Sequence, residues 1–169
     1  SYFIRESVKF YLANAHLLPA SENHHHSSCG GLIEHSIDVA IESVIVSLNS
    51  GDSLDPPLNF SQMKALFLAG LYHDSGKIIN DMKVSDKDGR VWEPERETLV
   101  DWCTRKKLSR YFVSFKKRTH KEHEKYGSFL LDYFKKARAE LFEEISEAEL
   151  NQLKIYLSGD ANSKLSKII

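Results

Sequence analysis

His73 and Asp74 adjoin each other at the end of Met63–Tyr72, the most apolar stretch of the chain. Burying an imidazole and a carboxylate there is costly unless a partner neutralises them, and a metal ion is such a partner. His35 falls on an apolar helical stripe with Leu32, Val39 and Val46. A histidine in such a stripe is more often a hydrogen-bonded core residue than a ligand. Asp160 continues the stripe of Leu153, Tyr156 and Leu157, which turns it inward, although an aspartate there is as often a helix cap. Taken together, His35, the His73-Asp74 pair and Asp160 form a mixed imidazole and carboxylate set. Such a set suits Mn, Fe, Mg, Zn, Co or Ni without selecting among them. No cysteine joins it, which argues against a structural zinc site.

Eight histidines are many for 169 residues. Three of them, His24, His25 and His26, are consecutive, and read either as a solvated polar loop or as imidazoles that reach over a metal to bind phosphate. His120 and His123 stand three apart, on one face of a helix that has begun by then. They sit inside a basic stretch, Arg105 to Lys125, which holds nine of the 23 Lys and Arg residues, among them Lys116, Lys117 and Arg118. Tyr111, Phe112 and Phe115 are interleaved with these charges. Positive charge binds phosphates and aromatic rings stack on unpaired bases, so the mixture suits single-stranded nucleic acid. The plainer reading is a solvated helix face over core aromatics.

The elements that must position these residues read as helices. Periodicity predicts helices over Tyr2–Leu18, Leu32–Leu48, and from an N-cap at Ser61 through Tyr72, with Gly76 as a stop. Pro19 ends the first, and Pro56-Pro57 mark a linker before the third. Asp88-Gly89 suggests a hairpin joining Met82–Val84 to Val91–Trp92. Further helices are expected from Glu95 to Leu108, His120 to Lys136 and Ser146 to Leu157, with a short extended piece at Tyr111–Phe115. The total is an all-α chain with one optional hairpin, and the strand–helix alternation of a doubly wound fold is missing.

Composition sets the outer limits. Hydrophobic residues make up 41% and charged residues 28%, which fits one soluble domain over 1–169. A net charge of −1 excludes a polybasic protein, so any nucleic-acid contact needs a local patch. Cys29 and Cys103 have no CxxC partners, and neither a signal peptide nor a bilayer-spanning run is present; a cytoplasmic protein is expected. The chain opens at Ser1 without Met, as a domain excised from a longer protein would.

The order His35, His73-Asp74, Asp160 resembles the HD superfamily of metal-dependent phosphohydrolases, and His73-Asp74-Ser75-Gly76-Lys77 resembles its name-giving motif. A narrower resemblance lies in Leu18-Pro19-Ala20-Ser21-Glu22-Asn23-His24-His25-His26 and Gly30-Gly31-Leu32-Ile33-Glu34-His35-Ser36, followed by Val39-Ala40. That string is similar to the N-terminal domain of TraI-type conjugative relaxases of the MobH class, a domain that often carries a helicase label. The likeness extends through Trp92, Pro94, Arg118 and His123-Glu124 to Asp160. It implies an all-helical bundle with one or two divalent ions at its centre, held by His35, His73, Asp74 and Asp160. His123 is then a candidate for a second ion or a general acid, with His120 beside it.

The reaction expected is hydrolysis or transfer at a phosphate ester, with Lys77 and Arg118 neutralising phosphate charge and Glu34 orienting a ligand. The substrate implied is DNA, nicked as a single strand at a transfer origin in company with other conjugation proteins. None of the seven tyrosines stands in a motif that marks it as a nucleophile. No G-x-x-x-x-G-K-[ST] loop supports the helicase label. Two alternatives stay open: an HD phosphohydrolase of nucleotides or other small phosphates, and a DNA-binding module without turnover.

Overall fold

The computed structural model describes residues 2–23, 26–49, 58–116, 126–143 and 145–159. Over them the chain is mostly helical with one two-stranded antiparallel sheet, the fold class that the periodicity predicts.

Helix α1 spans Tyr2–Ala15, three residues short of the expected end. His16 takes a left-handed φ of 36° and breaks the repeat, and Pro19 bars its resumption. Helix α2 spans Gly31–Asn49 and α3 spans Phe60–Tyr72. The N-cap of α3 is Asn59 rather than Ser61. Asn59 and Gln62 form a reciprocal capping box, while the Ser61 hydroxyl donates to Glu149. Gly76 does not act as a stop: α3 ends at Tyr72, and Gly76 opens a short α4 over Gly76–Asn80.

Strand β1, Met82–Ser85, pairs with β2, Phe112–Phe115, in the register Met82 to Phe115 and Ser85 to Phe112. The expected partner, Val91–Trp92, makes only the isolated bridge from Val91 to Ser85 and the Trp92 N–H bond to the Val84 carbonyl. The cause is the Asp86–Arg90 turn. Asp86 Oδ1 accepts the N–H groups of Asp88 and Arg90, both at 2.9 Å, and the chain then swings away so that the Trp92 indole can donate to the Glu97 carbonyl. Helix α5 is shorter than expected, Leu99–Lys106, because Thr98 caps it by accepting from the Asp101 N–H. Helix α6 spans Ser128–Ala137; the earlier part of the helix expected from His120 lies outside the described residues. A 3-10 turn over Ala139–Phe142 leads to α7, Glu147–Leu157.

Helix α3 is the axis of the fold. Every residue from Lys64 to Tyr72 is buried, with α2 packed on one side and α7 on another. The α2–α3 approach is set by two small residues. A Cβ on Gly70 would lie 2.6 Å from Ala40 Cα and 2.9 Å from Ala40 N, so only glycine lets the two backbones come this close. A chain of aromatic rings ties the remaining helices to α3. Tyr72 meets Tyr11 of α1 and Phe134 of α6, and Phe134 in turn meets Phe142. Far from this axis, Arg138 donates to Glu6 at 2.8 Å and to the Tyr2 hydroxyl at 2.7 Å, stapling α1 to the end of α6.

Two predictions follow from this packing. Replacing Gly70 with Ala gains about 1 kcal/mol of helix propensity. It also forces two backbones apart, a cost of about 1–3 kcal/mol or more when the obstacle is main chain. The expected net result is a lower urea midpoint at unchanged m-value. The Arg138 guanidinium, with Lys9 and Arg5, holds the Glu6 carboxyl down at about 2, below its ordinary 4.5, against the opposing effect of burial. A depressed carboxylate stabilises the folded state above its unfolded pKa and loses that contribution as pH falls through the folded one. Stability should therefore decline between about pH 5 and pH 2, and Glu6→Gln should flatten that part of the curve in acid titrations followed by circular dichroism.

Candidate functional site

Three side chains predicted as ligands meet. His35 Nε2 lies 3.1 Å from His73 Nε2 and 3.3 Å from Asp74 Oδ2, and His73 Nε2 lies 3.4 Å from the same oxygen. His35 belongs to the first part of α2, while His73 and Asp74 form the turn that follows α3. The two helices run antiparallel through the Ala40–Gly70 contact, so residues before Ala40 on α2 face residues after Gly70 on α3. Each ligand is anchored from behind. Next to His35, the Ser36 hydroxyl is bonded at 2.9 Å to the fully buried Tyr11 hydroxyl. Tyr72, next to His73, is likewise fully buried. Ser75, next to Asp74, donates to the Gly127 carbonyl at 2.8 Å and ties the turn to the start of α6.

The tautomer of His73 follows from its neighbour. Its Nδ1 lies 2.7 Å from the Gly70 carbonyl oxygen, which can only accept, so Nδ1 carries the proton. In the neutral ring, Nε2 then presents a lone pair toward His35 and Asp74. This is the arrangement by which a backbone carbonyl orients a metal-ligating imidazole. Two imidazole nitrogens and a carboxylate oxygen facing one another at 3.1–3.4 Å repel unless protons or a cation lie between them. Metal–ligand bonds of about 2.1 Å put neighbouring ligands about 3.0 Å apart in an octahedron and about 3.4 Å apart in a tetrahedron. The observed spacings fall in that interval. Among the described residues, these three form a group able to hold a metal ion.

Electrostatics agree with the geometry. Burial alone would push the Asp74 carboxyl up, but the neighbouring His35 and His73 imidazoles and the nearby Lys77 charge hold it well below the usual carboxylate range. Lys77 donates to Asp74 Oδ2 at 2.6 Å. The Asp74 carboxylate is therefore ionised at neutral pH, with a cation beside it.

The other expected residues fall in different places. The His26 ring lies 5.2 Å from the His35 ring, at the mouth of the cluster. Glu34, read as a residue that orients a ligand, reaches His26 instead, 3.4 Å from its Nδ1. Lys116, expected on phosphate, donates from Nζ to the Ile79 carbonyl at 2.7 Å and from its N–H to Asp81 O at 2.8 Å; it fastens β2 to the α4–β1 connection. His24, His25, Lys117, Arg118, His120, His123 and Asp160 lie outside the described residues.

Three positioning residues escape the sequence reading. Gly70 supplies both the close helix approach and the carbonyl that orients His73; its signal was a glycine inside an otherwise apolar helix. Ser75 has no comparable signal. Gly31 is the third: a Cβ there would lie 2.0 Å from the His26 carbonyl oxygen, which also accepts the Ala20 N–H at 2.9 Å. That carbonyl fixes His26 beside His35 at a left-handed φ of 59°.

Among the described residues no helix is long and apolar enough to cross a membrane. No curated protein matches the chain. A family model, TraI_2, described as "putative helicase", matches residues 2–169. The chain therefore belongs to the TraI_2 family, which implies a conjugation-related domain of relaxase type.

Proposed function

We propose that this domain is a metal-dependent phosphodiesterase of the HD superfamily that acts on DNA. The observation that carries the reading is the convergence of His35, His73 and Asp74, with the His73 tautomer set by the Gly70 carbonyl and Lys77 at the edge. His35, His73 and Asp74 would hold a divalent ion, with Asp160 from beyond the described residues as a fourth ligand. The ion, when bound, supplies a Lewis acid for a phosphoryl oxygen and lowers the pKa of a water.

The chain's own groups do the rest. Lys77 sits within reach of the carboxylate and places positive charge where a phosphate oxygen gains negative charge. His26 stands beside His35, its ring 5.2 Å away, and would be placed to donate to a phosphate, with Glu34 3.4 Å from its Nδ1. Arg118, His120 and His123 are the candidates for further charge neutralisation, general acid work and a second ion. Family membership supports DNA as the substrate, and the absence of a P-loop motif in the sequence argues for phosphoester chemistry over strand unwinding.

Purified protein reconstituted with Mn or Fe should carry about one or two ions per chain by mass spectrometry. His73→Ala and Asp74→Asn should lose the ion bound at this centre; unchanged stoichiometry in both would remove the assignment. Lys77→Met is expected to keep the metal and lower cleavage of single-stranded oligonucleotides by about 100-fold, as removal of one charge-stabilising donor does. Turnover of nucleotides with none on oligonucleotides would move the substrate to small phosphates. Salt-sensitive DNA binding with no turnover on any phosphate would leave a binding module.

A further inference from the structure

Part of the basic and aromatic stretch builds a second site, a cavity of about 490 Å³. Its walls come from the end of α1, the loop that carries His26, α5, and the entry to β2. The volume falls within the range of small-ligand pockets, about 300–1,000 Å³. Phe112 is 53% exposed at its edge and is mounted rigidly, paired across the sheet with Ser85. Arg110 lines the same cavity and is exposed.

Tyr111 stands beside them, its hydroxyl accepting the Leu17 N–H at 3.2 Å and lying 3.1 Å from His16 Nδ1. The His16 ring and the Tyr111 hydroxyl are thereby joined at the wall of the cavity. His16 holds this place at a left-handed φ of 36°, a conformation that non-glycine residues rarely adopt. A cavity with an open aromatic face, a neighbouring guanidinium and imidazole and hydroxyl groups offers one flat heteroaromatic ring a stack, hydrogen bonds and a counter-charge.

We propose that this cavity receives one unpaired nucleobase, stacked on Phe112 with its phosphate on Arg110. Ser27 lines the cavity, and the adjacent His26 ring lies 5.2 Å from the His35 ring, so one loop borders both the cavity and the cluster. The proposal rests on the phosphodiester reading for its substrate. It adds a specificity pocket that a paired base, locked in a duplex, does not enter.

Both cysteines of the chain line this cavity, which supplies a readout independent of catalysis. Cys29 is exposed, whereas burial pushes the Cys103 thiol up, so Cys29 reacts first with a maleimide. The experiment is carried out in EDTA, on the full chain, with a short oligothymidylate, thymidine monophosphate and a duplex as probes. The oligothymidylate should slow Cys29 labelling, and the duplex should not. Phe112→Ala should weaken oligothymidylate binding by about tenfold or more, and Phe112→Trp should retain it. Circular dichroism checks that both variants fold.

Protection by the mononucleotide equal to that by the oligomer would identify a free nucleotide as the source of the base; stronger protection by the oligomer would identify a strand. Equal affinity of Phe112→Ala and the unaltered chain, or labelling indifferent to every probe, would overturn the proposal. Loss of the metal assignment would leave these metal-free results standing, so the two readings fail separately.

Discussion

The contact between Ala40 and Gly70 governs the geometry of everything else. Helices normally pack with axes 8–10 Å apart, held off by side chains. Here a glycine on α3 meets the backbone of α2, with no room for even a methyl group. That closeness lets two short-reaching imidazoles on different helices bring their Nε2 atoms to 3.1 Å. The same glycine offers its carbonyl to His73 Nδ1. A single residue thus sets the distance between the ligands and the protonation state of one of them.

The loop between α1 and α2 obeys a second steric rule of the same kind. Gly31 lacks the atom that would strike the His26 carbonyl, so the loop can fold down against the start of α2. That carbonyl takes the Ala20 N–H, and the Leu32 N–H bonds to the Leu18 carbonyl at 3.0 Å. The loop is therefore pinned at both ends by main-chain bonds, and the strained φ of His26 is held in place by them. One side of this loop presents His26 to the cluster, and the other presents Ser27 and Cys29 to the second cavity. A thin segment of backbone separates the two chemistries.

Much of this was legible in the sequence, for identifiable reasons. The apolar run of α3 and the stripe of α2 are long and periodic, so both helices could be read directly, and the family resemblance joined His35 to His73-Asp74. Where local capping competes with periodicity, the reading slipped. Asn59 outranks Ser61 as a cap because Gln62 stands at the right offset to complete the box. Thr98 delays α5 by engaging Asp101. The sheet shows a different limit. The Asp88-Gly89 turn is a strong local signal, yet β1 takes its main partner from residues almost thirty positions further on. A long-range pairing of four residues leaves little trace in the pattern of either strand. Lys116 has a structural role that composition does not announce: its ammonium satisfies the Ile79 carbonyl.

Charge counting at the cluster explains why its residue types suit an anionic substrate. Asp74 and Lys77 cancel as an ion pair at 2.6 Å. A lone carboxylate this deeply buried would be costly, and His35, His73 and Lys77 offset that cost together. On the proposed reading, a divalent ion held there, with Lys77 adjacent, would make the centre net cationic. A phosphodiester carries one negative charge and gains more of it along the reaction path, so such a centre favours the transition state over the ground state. Replacing either histidine by a second carboxylate would preserve the ability to bind metal while weakening that preference, which gives imidazole ligands a physical reason to occupy two of the three places.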